Sequence, residues 1–377
     1  MRKILQIIPT LDQCGAEKQL TLLATGLPKD QFEVHVAVLT RTGPLEKPLQ
    51  EAGIPIHFIN KTLKLDPFAY FRLKSLISRL KPDIVHTWLF AANSYGRKAA
   101  LAAGVPRIIA AERCVDPWKN GIHFAIDRHY ARKTDSLTTN STGVVDFYKK
   151  HGLPEEKFVV IPNAVQPGPP SPITREEMFR ELKIPPSRFV IGIVARLWPQ
   201  KRIKEAIWGT DLLKFAGEDI HLFIFGDGPD RDALVRYREE VCISDRVHFW
   251  GNRPDVIRFI PHFDILWNTS AYEGQSNSIL EAMSYGIPVV ASDIPGNRDL
   301  VQHGVNGYLI SEYDNDDYRR RTRELIKRTT ELLNSPETRQ KFGEAGKQIV
   351  TEKFSLDAMI KGYVDLYGRF FLNFKNT

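Results

Sequence analysis

Cysteine is scarce: Cys14, Cys114 and Cys242 are the only three in 377 residues, far apart and without metal-ligand spacing. An odd, scattered set excludes a disulfide framework or a zinc site and fits a reduced, cytoplasmic protein. Long hydrophobic runs are missing too. The longest are strand-sized and broken by polar residues, which excludes a transmembrane span. At the amino terminus, Arg2 and Lys3 precede apolar residues, but Gln6 interrupts that stretch and Pro9 stops it, as in a buried first strand rather than a signal peptide. The net charge of +7 leaves room for anionic partners, namely nucleic acid, membrane or phosphorylated substrates, or for a surface tuned to solubility. No helix-turn-helix, zinc-finger or RNA-binding signature accompanies that charge, so nucleic acid is not an expected partner. The full dinucleotide fingerprint is absent as well, which speaks against a dehydrogenase.

What is present is a long chain with 42% hydrophobic residues, enough for a large core and more than one domain usually holds. Strand-like runs alternate with helix-like runs, the pattern of parallel sheets flanked by helices. The first half predicts strands at 3–9, 34–39, 54–59, 83–88, 107–112, 136–141 and 158–163. A proline-rich interruption at 166–172 reads as an inter-domain connection. Strands then resume at 189–195, 221–225, 246–250, 264–267, 288–292 and 307–310. The fold class is therefore α/β, two doubly wound Rossmann-like domains, and their ligands belong beyond the carboxyl ends of the strands.

The most informative stretch runs from Ser270 to Met283, with Glu273 and Glu281 separated by seven residues. It follows a strand, breaks at Glu273-Gly274 and takes up helical spacing, so one carboxylate sits on a loop and the other about two turns into a helix. Small polar residues between them suit backbone N–H groups meeting an anion at the helix start. Two carboxylates flanking an anion site match a ribose, a diphosphate and a hexose in line. Arg196 and Lys201, just past a predicted strand end, suit a diphosphate: arginine as a planar fork of donors, lysine as a mobile point charge. Read alone, they are equally two surface cations. Gly226-Asp227-Gly228-Pro229 is either a close-approach loop or a simple reversal. Gly15, after the first strand, can bring backbone N–H groups to a phosphate or merely open a helix.

In this order the pieces resemble the retaining glycosyltransferases of family 4, whose two-Rossmann-domain architecture, called GT-B, faces its domains across a cleft. The likeness covers nearly the whole chain through Gly15-Ala16-Glu17, Asp83-Ile84-Val85-His86, Ile161-Pro162-Asn163, Arg196 to Lys201, Gly226 to Pro229, Glu273 to Glu281 continuing through Gly286 to Asp293, and Gly304 to Gly307. The resemblance implies an acceptor-side domain over 1–166, with the carboxyl-terminal helix 357–377 packing back on it, and a nucleotide-sugar-binding domain over 167–356. It further implies that Arg196 and Lys201 neutralise the donor diphosphate, Glu281 holds the ribose, Glu273 faces the sugar, and Gly274, Gln275, Ser276, Asn277 and Ser278 line sugar and phosphates. Gly15 and Gly226 would approach the donor, with Trp250 and Asn252 near the base. Arg196, Lys201 and Glu273 are thereby the catalytic candidates. No metal or other cofactor is implied, and no Asp-X-Asp motif stands at a matching position. Cys14 and Arg202 stand where relatives often carry glycine, and Glu112-Arg113 where many carry histidine.

The expected activity is transfer of a sugar from a nucleotide-sugar, most readily a UDP-sugar, to an acceptor hydroxyl in polysaccharide or glycoconjugate synthesis. Two other readings share these features: a GT-B sugar epimerase or phosphorylase, and a non-catalytic basic module binding membrane or nucleic acid. His86, Glu112 and Arg113 are candidates for the acceptor side, where a glycan or glycolipid would bind. Residues 61–81 predict a helix with a stripe of Leu73, Leu76, Ile77 and Leu80 flanked by cations and led by Phe68, Tyr70 and Phe71. That helix either packs its stripe on the sheet or rests on anionic lipid at the inner membrane face. Arg319-Arg320-Arg321 after Asp314, Asp316 and Asp317 reads as dipole complementarity at a helix start.

Overall fold

The structure is a computed structural model that describes residues 1–166, 168–312 and 317–372. Pro167 of the proline-rich stretch, Asp314 and Asp316 of the acidic run, and 373–377 of the last expected helix lie outside the described residues. The contacts divide the chain into two compact units, residues 1–164 with 356–377 and residues 165–355.

The first unit runs β1 (Arg2–Thr10), α1 (Gly15–Gly26), β2 (Phe32–Arg41), α2 (Glu46–Glu51), β3 (Ile56–Phe58), α3 (Pro67–Leu80), β4 (Ile84–Trp88), α4 (Leu89–Ala102), β5 (Arg107–Glu112), α5 (Gly121–Ala131), β6 (Ser136–Thr139), α6 (Thr142–Lys150) and β7 (Phe158–Val160). Its seven strands are parallel, in the order β3-β2-β1-β4-β5-β6-β7. β1, β4 and β5 are buried on both faces because helices cover both sides, so even their polar residues Gln6, His86, Thr87 and Glu112 lie inside.

The second unit runs α7 (Arg175–Leu182), β8 (Phe189–Val194), α8 (Ile203–Phe215), β9 (Ile220–Phe225), α9 (Arg231–Glu240), β10 (Val247–Gly251), β11 (Ile265–Asn268), α10 (Asn277–Ser284), β12 (Val289–Ser292), α11 (Pro295–Arg298), β13 (Gly307–Ile310), α12 (Tyr318–Leu333) and α13 (Pro336–Lys353). Its six parallel strands are ordered β10-β9-β8-β11-β12-β13. The order reverses between β8 and β11, which opens a crevice beyond their carboxyl ends. The proline-rich segment is tied to this unit: Ser171 Oγ donates to the Arg258 carbonyl at 2.8 Å, and Tyr285 Oη donates to the Pro169 carbonyl at 3.3 Å. Asp317 caps α12 by accepting from the Arg319 and Arg320 amides.

The last helix, α14 (Leu356–Leu372), belongs to the first unit. Met359, Tyr363, Leu366 and Tyr367 complete a core with Ile4, Ile8, Phe32 and Trp88. Tyr367 Oη accepts from Gln6 Nε2 at 3.0 Å and stands 2.9 Å from His86 Nδ1, while the Trp88 indole donates to Gln6 Oε1 at 2.8 Å. Among the described residues, no helix is long and apolar enough to cross a membrane.

His86 lies wholly inside that core. Burial, and secondarily the Arg113 charge, push its imidazole down from 6.5 to about 3. The unfolded chain therefore takes up a proton first as pH falls, so this contribution to stability is complete above pH 6.5 and is lost on acidification toward pH 3. At about 1.4 kcal/mol per unit, about 2 kcal/mol disappears by about pH 5. Thermal unfolding from neutral pH to about pH 5 is expected to show a steeper loss for the wild type than for His86→Gln. Parallel curves would contradict the assignment.

Candidate functional site

Two loops meet at the crevice of the second sheet. After β8 the backbone continues beside the β9 exit, with the Ala195 amide bonded to the Phe225 carbonyl at 2.9 Å and the Leu197 amide to the Asp227 carbonyl at 2.9 Å. Gly226 makes this possible. Its φ is 135°, and a Cβ there would stand 1.9 Å from the Ala195 carbonyl oxygen, a distance no side chain tolerates. The chain then exposes Arg196, whose guanidinium lies 5.5 Å from the Trp198 ring centre, and tightens into a short 3-10 turn ending at Lys201. Arg202 follows at φ 50°, the left-handed region that explains why glycine suits this position. Here the arginine is held in place by Nη1, which donates to both carboxylate oxygens of Glu312 at 2.9 and 2.8 Å.

After β11 the loop from Thr269 to Ser276 is fastened to that turn. Thr269 Oγ1 donates to the Lys201 carbonyl at 2.7 Å, the Ala271 amide to the Gln200 carbonyl at 2.8 Å, and Gln200 Nε2 to the Tyr272 carbonyl at 2.7 Å. These bonds bring Lys201 and Glu273 into an ion pair with side chains only 14% and 9% exposed. Ser270 Oγ donates to the same carboxylate at 2.8 Å, so Glu273 is oriented from two sides. The loop ends at Ser276, whose hydroxyl does not cap α10; it accepts from Asn268 Nδ2 at 3.0 Å and lies 3.0 Å from Ser278 Oγ. Asn297 Nδ2 donates to the Ser292 carbonyl at 3.0 Å, and Gly296 lies so close to the loop that a Cβ would come within 2.0 Å of the Gly274 carbonyl oxygen. Gly274, Gln275 and Ser276 are consequently buried.

Arg196, Lys201, Glu273 and the stretch to Glu281 therefore leave adjacent strands at the switch point of one sheet. Because α10 starts at Asn277, Glu281 is its fifth residue, about one turn in and not two. Gly226 bonds through its amide to the Gly251 carbonyl at 2.7 Å, which sets the end of β10 beside it. Trp250 is half-buried there, stacked on His248, and its indole N–H is buried without a partner among the described residues; Asn252 is exposed. Gly15 opens α1 in the first unit.

The acceptor-side candidates need correction. His86 has both ring nitrogens engaged, by Tyr367 and by Thr138 Oγ1 at 3.1 Å. Arg113 is buried against Tyr363 and Asn163. Glu112, 1% exposed, accepts from Asn93 Nδ2 at 3.0 Å and pairs with Lys119 at 3.4 Å. Lys119 also meets Asp127 at 2.9 Å, and Asp127 meets Arg97 at 2.8 Å. Burial opposes the Lys119 charge, but Glu112, Asp127 and Asp116 outweigh it and raise its pKa. All three candidates hold the interior of the first unit together and present little or no surface to an acceptor. Sequence reasoning also missed Thr269, Ser270, Asn268 and Gln200, which position the ion pair. The polar run Asn268-Thr269-Ser270, which ends β11 and continues directly after it, was the available signal.

Chemically, the site offers an ammonium, a nearby guanidinium on the same loop and two carboxylates around a tight backbone turn. That set can neutralise a diphosphate and hold hydroxyls on either side of it. The family model described as "Glycosyl transferases group 1" matches residues 174–349, and that described as "Glycosyltransferase Family 4" matches residues 14–168. The chain is 28% identical over 318 residues to an Escherichia coli UDP-Gal:alpha-D-GlcNAc-diphosphoundecaprenol alpha-1,3-galactosyltransferase, covering 78% of this chain and 79% of that one. It is 25% identical to the lipopolysaccharide core biosynthesis glycosyltransferase LpsE of Rhizobium meliloti, with 82% of each chain covered. Among solved structures, Anabaena HepE in complex with UDP and glucose superposes with a TM-score of 0.85 at 20% identity, covering 98% of this chain and 100% of that one. A glycosyltransferase from Rickettsia africae gives 0.80 at 19%, covering 100% and 99%. At these identities the two structures speak to the fold, which is GT-B.

Proposed function

Since the chain belongs to the group 1 and family 4 glycosyltransferases, we propose that it transfers a sugar from a UDP-sugar to a hydroxyl of a glycan or glycolipid, with retention of configuration and without a metal ion. The observation that carries this reading is the Lys201–Glu273 ion pair fixed at the sheet's switch point. UDP as the carrier is supported by the galactosyltransferase relative and by the UDP bound to HepE. A relative named for alpha-D-GlcNAc-diphosphoundecaprenol and one named for lipopolysaccharide core biosynthesis support a glycan or glycolipid acceptor. We assign the reaction to the cytoplasm.

In the proposed step the bond between the anomeric carbon and the diphosphate oxygen breaks, and UDP leaves with the electron pair. The acceptor oxygen bonds to the anomeric carbon on the same face, and its proton passes to the departing phosphate. Lys201 and Arg196 stabilise the charge growing on the leaving group. Glu273 is freed from Lys201 to hold sugar hydroxyls, and Glu281 holds the ribose. Oriented donors set before reaction are what make such a site effective without reorganisation.

The test is product analysis by proton NMR with an α-configured UDP-sugar and a glycan acceptor in EDTA. An α-linked product is expected. A β-linked product would overturn retention, and loss of activity restored by divalent cation would overturn metal independence. Glu281→Gln is expected to weaken UDP binding by about 10- to 100-fold, the loss of one charge-assisted hydrogen bond, in calorimetric titration. Unchanged affinity would remove Glu281 from the ribose site.

A further inference from the structure

The core face of α3 is fully used: Ala69, Leu73, Leu76 and Ile77 are buried in the cluster between the helix and the sheet. The expected stripe thus packs inward and meets no lipid. A different set remains outside. Leu63 is 63% exposed, Leu65 84%, Phe68 75% and Phe71 62%. Four large apolar side chains within nine residues are an unusual concentration on a surface, and such patches mark contact with another phase or partner.

The segment that carries them is pinned. Asp66 caps α3 by accepting from the Ala69 amide at 2.9 Å and also accepts from the Thr62 amide at 3.1 Å, while its own amide donates to Tyr95 Oη at 2.7 Å. Arg72 donates to the Ile59 and Asn60 carbonyls at 2.7 and 2.9 Å. The exposed residues are therefore presented on a fixed edge rather than on a loop that can fold them away. Pre-set geometry lowers the ordering cost of docking.

Charge identifies the occupant. Between 61 and 81 the sequence holds six cations, and its one carboxylate, Asp66, is buried in the cap. Lys61 and Lys64 flank Leu63, and Arg72 adjoins Phe71. A second copy of this chain would set two basic edges against each other, whereas anionic headgroups above an apolar interior complement both features. We propose that residues 61–72 dock on a bilayer containing anionic phospholipid, with Leu65, Phe68 and Phe71 entering the acyl boundary and Lys61 and Lys64 meeting the headgroups. The surface lies in the first unit, outside the donor site, and stands independently of the transfer reaction.

Co-sedimentation without nucleotide tests it, using vesicles of phosphatidylcholine alone and with about a third phosphatidylglycerol. The wild type should bind the mixed vesicles at least about tenfold more tightly than the neutral ones. Leu65→Ser/Phe68→Ser/Phe71→Ser should weaken that binding by about tenfold or more, and Lys61→Glu/Lys64→Glu should abolish the preference for anionic lipid. Phe68→Trp supplies a second readout that needs no destabilising change: its emission should shift to the blue on adding mixed vesicles. Equal binding by the triple variant, an unshifted emission, or wild type that stays in the supernatant would overturn the proposal. So would self-association removed by the triple variant without vesicle binding. Transfer to a water-soluble acceptor without vesicles should be unchanged in these variants, which separates this failure from failure of the donor site.

Discussion

Lys201→Ala should lower kcat by about 10²- to 10³-fold, measured as UDP release from a UDP-sugar with saturating acceptor. The side chain sits at the end of a 3-10 turn whose carbonyl is held by Thr269, so its ammonium reaches Glu273 from a fixed base. A leaving diphosphate gains charge as the glycosidic bond lengthens, and a preset cation is worth most at that moment. The effect should fall on kcat more than on KM, because ground-state diphosphate keeps Arg196 and the loop backbone. Removal of the ammonium also leaves the Glu273 carboxylate with Ser270 as its remaining named partner in a site that is mostly buried. That should cost about 1–3 kcal/mol of stability. Lys201→Arg keeps the charge but changes its shape, and should recover stability before it recovers rate. Unchanged turnover in the alanine variant would remove Lys201 from the leaving-group role.

Gly226→Ala should be the most damaging single methyl in the second unit. Two penalties coincide: a φ of 135°, which side chains rarely adopt, and a Cβ 1.9 Å from a backbone oxygen that cannot swing aside. The substitution forces β8 and β9 exits apart at the place where the Ala195 and Leu197 amides bond across. We expect a loss of about 3 kcal/mol and a fall in Tm of about 6–12 °C for a unit of this size. Scanning calorimetry reads it directly. Because Arg196 rides on the same crossing, donor affinity should fall with stability; a normal Tm with normal affinity would mean the crossing is not rigid.

The strand positions and the two-unit division follow from features visible in the sequence, because buried parallel strands leave short apolar runs and a proline-rich stretch interrupts their alternation with helices, whereas the order of the strands in each sheet was not read from it. β5 and β13 begin and end where the pattern places them, at 107–112 and 307–310. Glu281 was harder to place. Gly274 to Ser276 look like the first turn of a helix, but Gly296 and Asn268 hold them in the loop, and α10 starts only at Asn277. His86 reads from sequence as a strand-end histidine but stands in the middle of β4, and Glu112 and Arg113 look like site residues because they stand where the resembled family often carries histidine. Tyr367 and Asn163 lie 281 and 50 residues from His86 and Arg113 and reach them only in the folded chain, and Glu112 accepts from Asn93, 19 residues away. Local pattern carries no information about such pairings. The region 61–81 divides the same way: periodicity identified the stripe that packs on the sheet, while exposure of Leu65, Phe68 and Phe71 became visible only once the core face was assigned.

The donor site is tested most directly by thermal stabilisation of the wild type and Glu281→Gln with UDP-, GDP-, ADP- and CMP-sugars in EDTA. The expected result is a selective rise in Tm with a UDP-sugar that the variant loses. No shift with any nucleotide-sugar, or an equal shift in both proteins, would contradict a UDP-sugar held by the carboxylate of α10.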